Sequence, residues 1–448
     1  MRGYAKYRSP GLAFVEQIPA HWEVVPFRHV FTESREVNGE NPVGPMLSVS
    51  GYRGVEIKEY DSDNRRRTPE EVATYRVVRQ GQLAVNTMWL NYAGLGVSAI
   101  EGHMSPAYRA YDISRALEPR YVHHLLRSSI YVQGYTALLT GIRPNSLQMS
   151  RDDLMSFPVI VPPLEDQRLI ADYLDRETAE IDAFISDQQA FRHLLIERWV
   201  SGLVNIVQPQ LLEQDSLHSP KLRPSWTRTR LKSTVESDKN GSWGSDEGVD
   251  QVTRRCIRVA DFDKHSGRIH SRSETNRSYP IDQASSLALK AGDLLIEKSG
   301  GGPTSPVGNV VLYTGPGGDL YSNFVARIRL QAGIDPRFSL YLHRALYLSG
   351  VTNRSIKQTT GIQNLDSSSY FNETVWLPSP EEQKVLGQRV EAQRDFTDET
   401  LKDVDLSIRL AEERRAALIS AAVTGQIDVV SHGVSAAERL QDELEVHV

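Results

Sequence analysis

Arg65, Arg66 and Arg67 follow Asn64 in a polar stretch, and Arg254 and Arg255 hold a comparable place later in the chain, ahead of Arg268, Arg272 and Arg277. A guanidinium is a planar fork of N–H donors, so exposed clusters of this kind can neutralise phosphates or bridge guanine O6 and N7 in a major groove. A solvated surface is the competing reading of each cluster. Asn86, Asn91, Lys298 and Asn323 fall near the ends of β-rich runs, where a loop could carry them to base edges. A capping or turn role suits the asparagines equally. The candidate DNA contacts are therefore Arg65, Arg66, Arg67, Asn86, Asn91, Arg254, Arg255, Arg272, Lys298 and Asn323.

Other chemistry finds little footing. No Gly-x-x-x-x-Gly-Lys-Ser/Thr loop is present to cradle a nucleoside triphosphate, and Gly300-Gly301-Gly302 lacks the strand and helix spacing, so it reads as a flexible loop. Glu56-x-Lys58 fits half of a nuclease signature, but the chain has no Pro-Asp dipeptide to supply the metal-binding partner, and the two read as a surface pair. The Asn/Asp-Pro-Pro-Tyr/Phe motif of DNA amino-methyltransferases, which holds a flipped base, is also missing. His103, His123 and His124 lack partners at ligand spacing, and the single cysteine, Cys256, reads as a core residue. No Ser, His and acid arrangement is visible along the sequence. The expectation is a chain with no catalytic, metal or cofactor site of its own.

What must position the candidate contacts is a repeat. Val161-Pro162-Pro163-Leu164-Glu165-Asp166-Gln167 is echoed by Leu377-Pro378-Ser379-Pro380-Glu381-Glu382-Gln383, an offset of 216 residues from Gln167 to Gln383. The register continues without a gap through Asp182 and Asp398, Leu194 and Leu410, and Glu197-Arg198 and Glu413-Arg414. Upstream, Val78-x-x-Gly81-x-Leu83-x-Val85 matches Leu289-x-x-Gly292-x-Leu294-x-Ile296, and Trp22 and Trp226 mark two lobe starts.

After each proline hinge the spacing predicts a long helix. The stretch from Glu165 to about Val204 has no proline, and its first turn is acidic, as the helix dipole favours. Ile170, Leu174, Ile181, Phe184, Phe191 and Leu195 fit a heptad seam. The second copy offers Leu386, Val390, Leu401, Val404, Ile408, Ala411 and Leu418, with a phase shift near Thr397 to Leu401, and stops at Gly425. Two such helices in one chain most simply pack antiparallel, holding the lobes apart in pseudo-twofold symmetry, since a helix of this length spans roughly 60 Å. Short β-rich runs (81–86, 293–297, 309–313 and 324–330) accompany helical segments at 120–130 and 336–348. The fold class is therefore α+β: two mixed lobes separated by a long antiparallel helix pair. The expected boundaries are 1–163 and 208–379 for the lobes, 164–207 and 380–428 for the helices, and 429–448 for an acidic tail.

The net charge of −6 is unusual for a DNA binder, but it conceals a segregation. Residues 1–164 carry +2 and 208–380 carry +4, whereas 165–207 carry −5 and 381–428 carry −4. Phosphate contacts are expected from the lobes. No stretch is apolar for the roughly 18 residues of a membrane span, and the first thirty residues lack a signal peptide's apolar region, so a soluble cytoplasmic protein is expected.

At these motifs the sequence resembles the specificity subunits of type I restriction-modification enzymes. The matching pieces are the Pro-Pro-Leu-Glu-Asp-Gln hinge entering a helix, its second copy, and the closing Ala421-Ala422-Val423-Thr424-Gly425-Gln426-Ile427-Asp428-Val429. Within the lobes, Asn86-Thr87-Met88 with Ser105-Pro106-Ala107-Tyr108, and Gly292-Asp293-Leu294-Leu295 with Pro306-Val307-Gly308 and Ser322-Asn323-Phe324, look like that family's target-recognition domains. Copy one departs at its end, where Gly202-Leu203-Val204-Asn205-Ile206-Val207 replaces the Thr-Gly-Gln-Ile-Asp ending.

The resemblance implies that each lobe reads one half of a bipartite, asymmetric target and that the helices set the spacer. It further implies two methyltransferase subunits docked on the chain, with a restriction and translocase subunit joining them. Gln167, Leu174, Ile181, Gln383, Val390, Glu413 and Arg414 are the expected partner contacts. S-adenosylmethionine, ATP and Mg would lie on the partners, in keeping with the motifs missing here. Two other readings compete: a scaffold whose helix pair assembles partners without DNA, and an enzyme with a cryptic site in a lobe.

Overall fold

The computed structural model describes residues 4–51, 53–58, 68–140, 147–209, 225–246, 251–270, 275–302, 304–359 and 361–429. It contains two compact units, residues 1–187 with 407–448 and residues 188–406. The divisions fall inside the two long helices rather than at the proline hinges, because each helix end belongs to the core of the lobe it adjoins.

In the first unit, strands β1 (Glu23–Pro26), β2 (Phe31–Ser34), β3 (Leu83–Val85), β4 (Leu95–Val97), β5 (Arg109–Ile113) and β6 (Pro158–Val161) accompany helix α1 (Pro119–Arg127) and the start of α2 (Leu164–Val207). The antiparallel sheet runs β2-β5-β3-β4. Strand β1 pairs with β6, Val25 opposite Val159, so the beginning and end of the lobe meet where α2 starts. Pro119 opens α1, where its missing N–H costs nothing, and Tyr121, Val122, Leu125 and Leu126 turn one face into the core. The segment 120–130, expected as one helix, is broken: Ser128 is extended, and its hydroxyl accepts from the Tyr131 amide to start a new helix, Ser129–Thr136. The core gathers Phe27, Phe31 and Tyr111 with Ile170 and Leu174 from α2, and with Ile419, Ala422 and Val423 from the last long helix.

The second unit holds β7 (Thr227–Arg230), β8 (Val235–Asn240), β9 (Leu294–Glu297), β10 (Val310–Leu312), β11 (Val325–Leu330), α3 (Pro336–Leu348), β12 (Thr374–Leu377) and the start of α4 (Pro380–Val423). Its antiparallel sheet runs β8-β11-β9-β10, and β7 pairs with β12. Asp335 caps α3, its carboxylate accepting from the Arg337 and Phe338 amides, with Pro336 at the first helical position. A smaller sheet joins Gln251–Ile257 to Asn276–Pro280 and, in parallel, to Leu320–Tyr321. Trp199, Leu203, Val204 and Val207 of α2 and Leu386 and Val390 of α4 enter this unit's core.

The expected helix seam needs correction. In the first part of α2, Ile170, Leu174, Thr178, Ile181 and Ile185 form one buried row, whereas Phe184 and Phe191 are each 45% exposed. Spacings of i, i+4, i+8, i+11 and i+15 follow the face of a straight helix with 3.6 residues per turn, and a strict heptad drifts off that face. The phase shift in α4 also has a cause. Between Val390 and Leu401 the buried positions are Arg394 and Thr397. Arg394 donates to the Ser266 carbonyl at 3.0 Å and the Tyr341 hydroxyl at 2.9 Å, and pairs with Asp395. Helix α4 ends at Val423, and Gly425 follows at φ +71°, where a Cβ would collide with Pro19.

Candidate nucleic-acid interface

The hinge glutamines, expected as partner contacts, are internal. Gln167 accepts from the Glu118 amide at 2.8 Å and donates to the Ala116 and Pro162 carbonyls at 3.0 and 2.8 Å. Gln383 accepts from the Asp335 amide at 3.0 Å and donates to the Pro378 carbonyl at 3.0 Å. Each joins the N-terminus of a lobe helix to the entry of a long helix. Leu174, Ile181 and Val390 are likewise buried within their own units. Of the expected partner contacts only Glu413 and Arg414 are exposed. An apolar groove in the first unit, lined by Ile181, Phe184, Leu410 and Ala411 with Glu180 and Arg414, is what α2 and α4 leave open there.

The expected DNA contacts divide by location. Arg65, Arg66, Arg67 and Arg272 lie outside the described residues. Asn86 is buried, its amide donating to the Gly94 carbonyl at 2.7 Å and its Oδ1 accepting from the Met88 amide at 3.2 Å, which is the turn role. Asn91 is half-buried, and its Oδ1 has no hydrogen-bond partner among the described residues. Around these asparagines Met88, Trp89 and Tyr92 are exposed, with the Trp89 and Tyr92 ring centroids 5.5 Å apart.

In the second unit Arg254 is exposed. Arg255 is held inward by a 3.1 Å bond to the His270 carbonyl. Lys298, just past β9, donates to Asn240 Oδ1 at 2.6 Å. Asn323 is exposed and lines a cavity of about 700 Å³ together with Trp243, Lys264, Glu297, Ser322 and Phe324. Glycines 300–302 form part of its wall. They were expected to be a flexible loop, but Gly300 donates to the Gln363 carbonyl at 3.1 Å and Gly302 exchanges backbone bonds with Ser305. Glu297 is 3% exposed, and burial pushes its carboxyl above the ordinary value against the opposing pull of Lys264, 3.1 Å away.

Trp243, Lys264, Glu297 and Phe324 are absent from the sequence candidates. Glu297 did leave a signal: it stands 211 residues after Asn86, the offset that relates the two strand motifs, so both are the residue following or ending equivalent strands.

The remaining titratable candidates take structural roles. Glu56 pairs with Arg53 at 2.9 Å, Cys256 is buried with its thiol pushed up by burial, and His123 Nδ1 accepts from the Val97 amide at 3.3 Å. Among the described residues no group of three or more His, Cys, Asp or Glu side chains is placed to hold a metal ion, and no helix is long and apolar enough to cross a membrane.

Comparison with known proteins gives a consistent answer. The chain is 22% identical over 321 residues to the type I restriction enzyme StySPI specificity subunit of Salmonella potsdam, and 23% identical over 314 residues to the EcoKI specificity subunit of Escherichia coli K12. These matches take in 69% and 68% of this chain. The chain is thus similar to type I restriction specificity subunits. It spans just under two thirds of those relatives' own length, 66% and 65%. A chain from a solved type I restriction-modification system, in work on complex assembly and conformational transition, shares the fold at a TM-score of 0.63 and 16% identity, covering 92% of this chain and 99% of that one. No family model matches. In this fold Asn86 follows β3 and Glu297 ends β9, at equivalent strand ends.

Proposed function

We propose that this chain is the DNA sequence-specificity subunit of a type I restriction-modification complex. It recognises a bipartite, asymmetric target, one half-site per lobe, and does no chemistry itself. The observation that carries the reading is the recurrence of one frame. Sheets of order β2-β5-β3-β4 and β8-β11-β9-β10, Trp22 and Trp226 bonded to Asp166 and Glu382, and Gln167 and Gln383 bonded to helix entries all fit an internal duplication.

In this reading 1–163 and 208–379 are target-recognition domains. Helices α2 and α4 form an antiparallel pair that sets the spacer. Within the first unit Asp182 meets Arg415 at 2.8 Å, and within the second Arg192 meets Asp405 at 2.9 Å, both consistent with opposed helix directions. Half-sites one to two duplex turns apart, roughly 34 to 70 Å, suit a helix of roughly 60 Å. Two methyltransferase subunits and a restriction and translocase subunit would dock on the chain and bring S-adenosylmethionine, ATP and Mg. The exposed Phe184 and Leu410 beside Glu180 and Arg414 offer an apolar, charge-rimmed patch for such docking.

Exchanging residues 220–379 for the corresponding lobe of another specificity subunit tests the reading. Mapping of methylated bases should show one half of the target changed and the other retained. An unchanged target would refute it.

A further inference from the structure

The second unit's cavity combines features that a purely structural pocket does not need. Its walls carry two exposed aromatic rings, Trp243 at 40% and Phe324 at 44%. The Trp243 ring is set by the Arg277 guanidinium, 4.7 Å from its centroid. Its interior holds two buried polar groups with unmet capacity. Glu297 Oε2 lies 3.1 Å from Lys264 Nζ but receives no well-aligned hydrogen bond from the described residues, and Ser322 Oγ has no partner among them. Beyond the Lys264 ion pair, the Glu297 carboxylate and the Ser322 hydroxyl keep hydrogen-bonding capacity that a bound ligand can take up. An adjacent carboxylate acceptor and ammonium donor match a flat heterocycle that presents a donor beside an acceptor, and aromatic walls match its faces.

We propose that this cavity binds a nucleobase by its hydrogen-bonding edge, with Glu297 accepting from a ring or exocyclic N–H, Lys264 donating to the neighbouring ring or carbonyl acceptor, and Trp243 and Phe324 contacting the base face. Burial of Glu297 inside the cavity argues for a base that enters it rather than one read in place from a groove. Such a base is either extruded from a duplex, which rests on the DNA reading above, or free.

Calorimetric titration of the full chain with thymidine, deoxycytidine and N3-methylthymidine tests this. The first two should bind, and N3-methylthymidine, whose ring donor is blocked, should bind about 10-fold or more weakly. Glu297→Gln, which exchanges a charged acceptor for a neutral amide, should reduce that discrimination. Trp243→Ala, at an exposed position, should weaken all three without depending on core packing. No nucleoside binding, equal binding of all three, or binding unchanged in both variants would overturn the proposal. A duplex with one mismatched thymidine separates the sources. Preference for it over the fully paired duplex, reduced in Glu297→Gln, assigns an extruded base, whereas no preference with nucleoside binding retained assigns a free one. A chain that binds nucleosides but no duplex keeps this inference and loses the specificity-subunit reading; the reverse result does the opposite.

Discussion

The Trp22 indole nitrogen donates to the Asp166 carboxylate at 3.3 Å, tying the entry of the first lobe to the first turn of α2. In the second unit Trp226 donates to Glu382 at 3.2 Å, at the first turn of α4. An indole N–H bonded to a carboxylate is a charge-assisted contact between an aromatic that fills the core and a helix start where the dipole favours negative charge.

Trp226→Phe keeps most of the ring and removes the donor. It should lower unfolding stability by about 1 kcal/mol, seen as a lower urea midpoint with an unchanged far-ultraviolet circular dichroism spectrum. Trp22→Phe should act alike. A midpoint unmoved in both variants would show the bonds contribute nothing.

Gln383→Leu should be more damaging. It strands the Asp335 amide and the Pro378 carbonyl, and each buried group left without a partner costs about 1–3 kcal/mol. Gln383→Glu keeps the acceptor for Asp335 but loses the donor to Pro378, so its denaturation midpoint should fall between those of wild type and the leucine variant.

Acid should destabilise the second unit through His343. This imidazole is fully buried, with Nδ1 2.7 Å from the Tyr370 hydroxyl, and burial lowers its pKa to about 3. The unfolded chain titrates near its ordinary value of about 6.5. As pH falls below about 6.5 the unfolded state takes a proton that the folded state refuses, so stability present above that pH is progressively lost, at up to about 1.4 kcal/mol per pH unit. His343→Asn should flatten this part of the profile, measured by urea midpoints across the range.

Arg254 is exposed, whereas its neighbour Arg255 is bonded to the His270 carbonyl. Arg254→Gln should weaken duplex binding to a similar degree for all sequences and reduce the slope of log affinity against log salt by about 1. Loss confined to one base pair of the target would instead make Arg254 a base contact.

Much of the frame is legible in the residues themselves because its signals are local. Pro336 and the periodicity after it delimit α3 at Pro336–Leu348, and the proline hinges delimit α2 and α4 to within a turn. The recurrence of Gln167 as Gln383 and of Trp22 as Trp226 is visible by offset alone. What those residues do was decided only in three dimensions. The glutamines repeat because they bond internal helix entries, not because they face a partner, and an apolar residue's exposure depends on what packs opposite it. Phe184 and Ile185 are neighbours in sequence, yet the face of a straight helix buries one and exposes the other. The cavity was the least legible feature. Trp243, Lys264, Glu297 and Phe324 are far apart along the chain, and sheet pairing of β9 with β11 brings Glu297 opposite Val325, beside Phe324. Caps and periodicities report on near neighbours, whereas pairing across a sheet is set by the packing of the whole lobe.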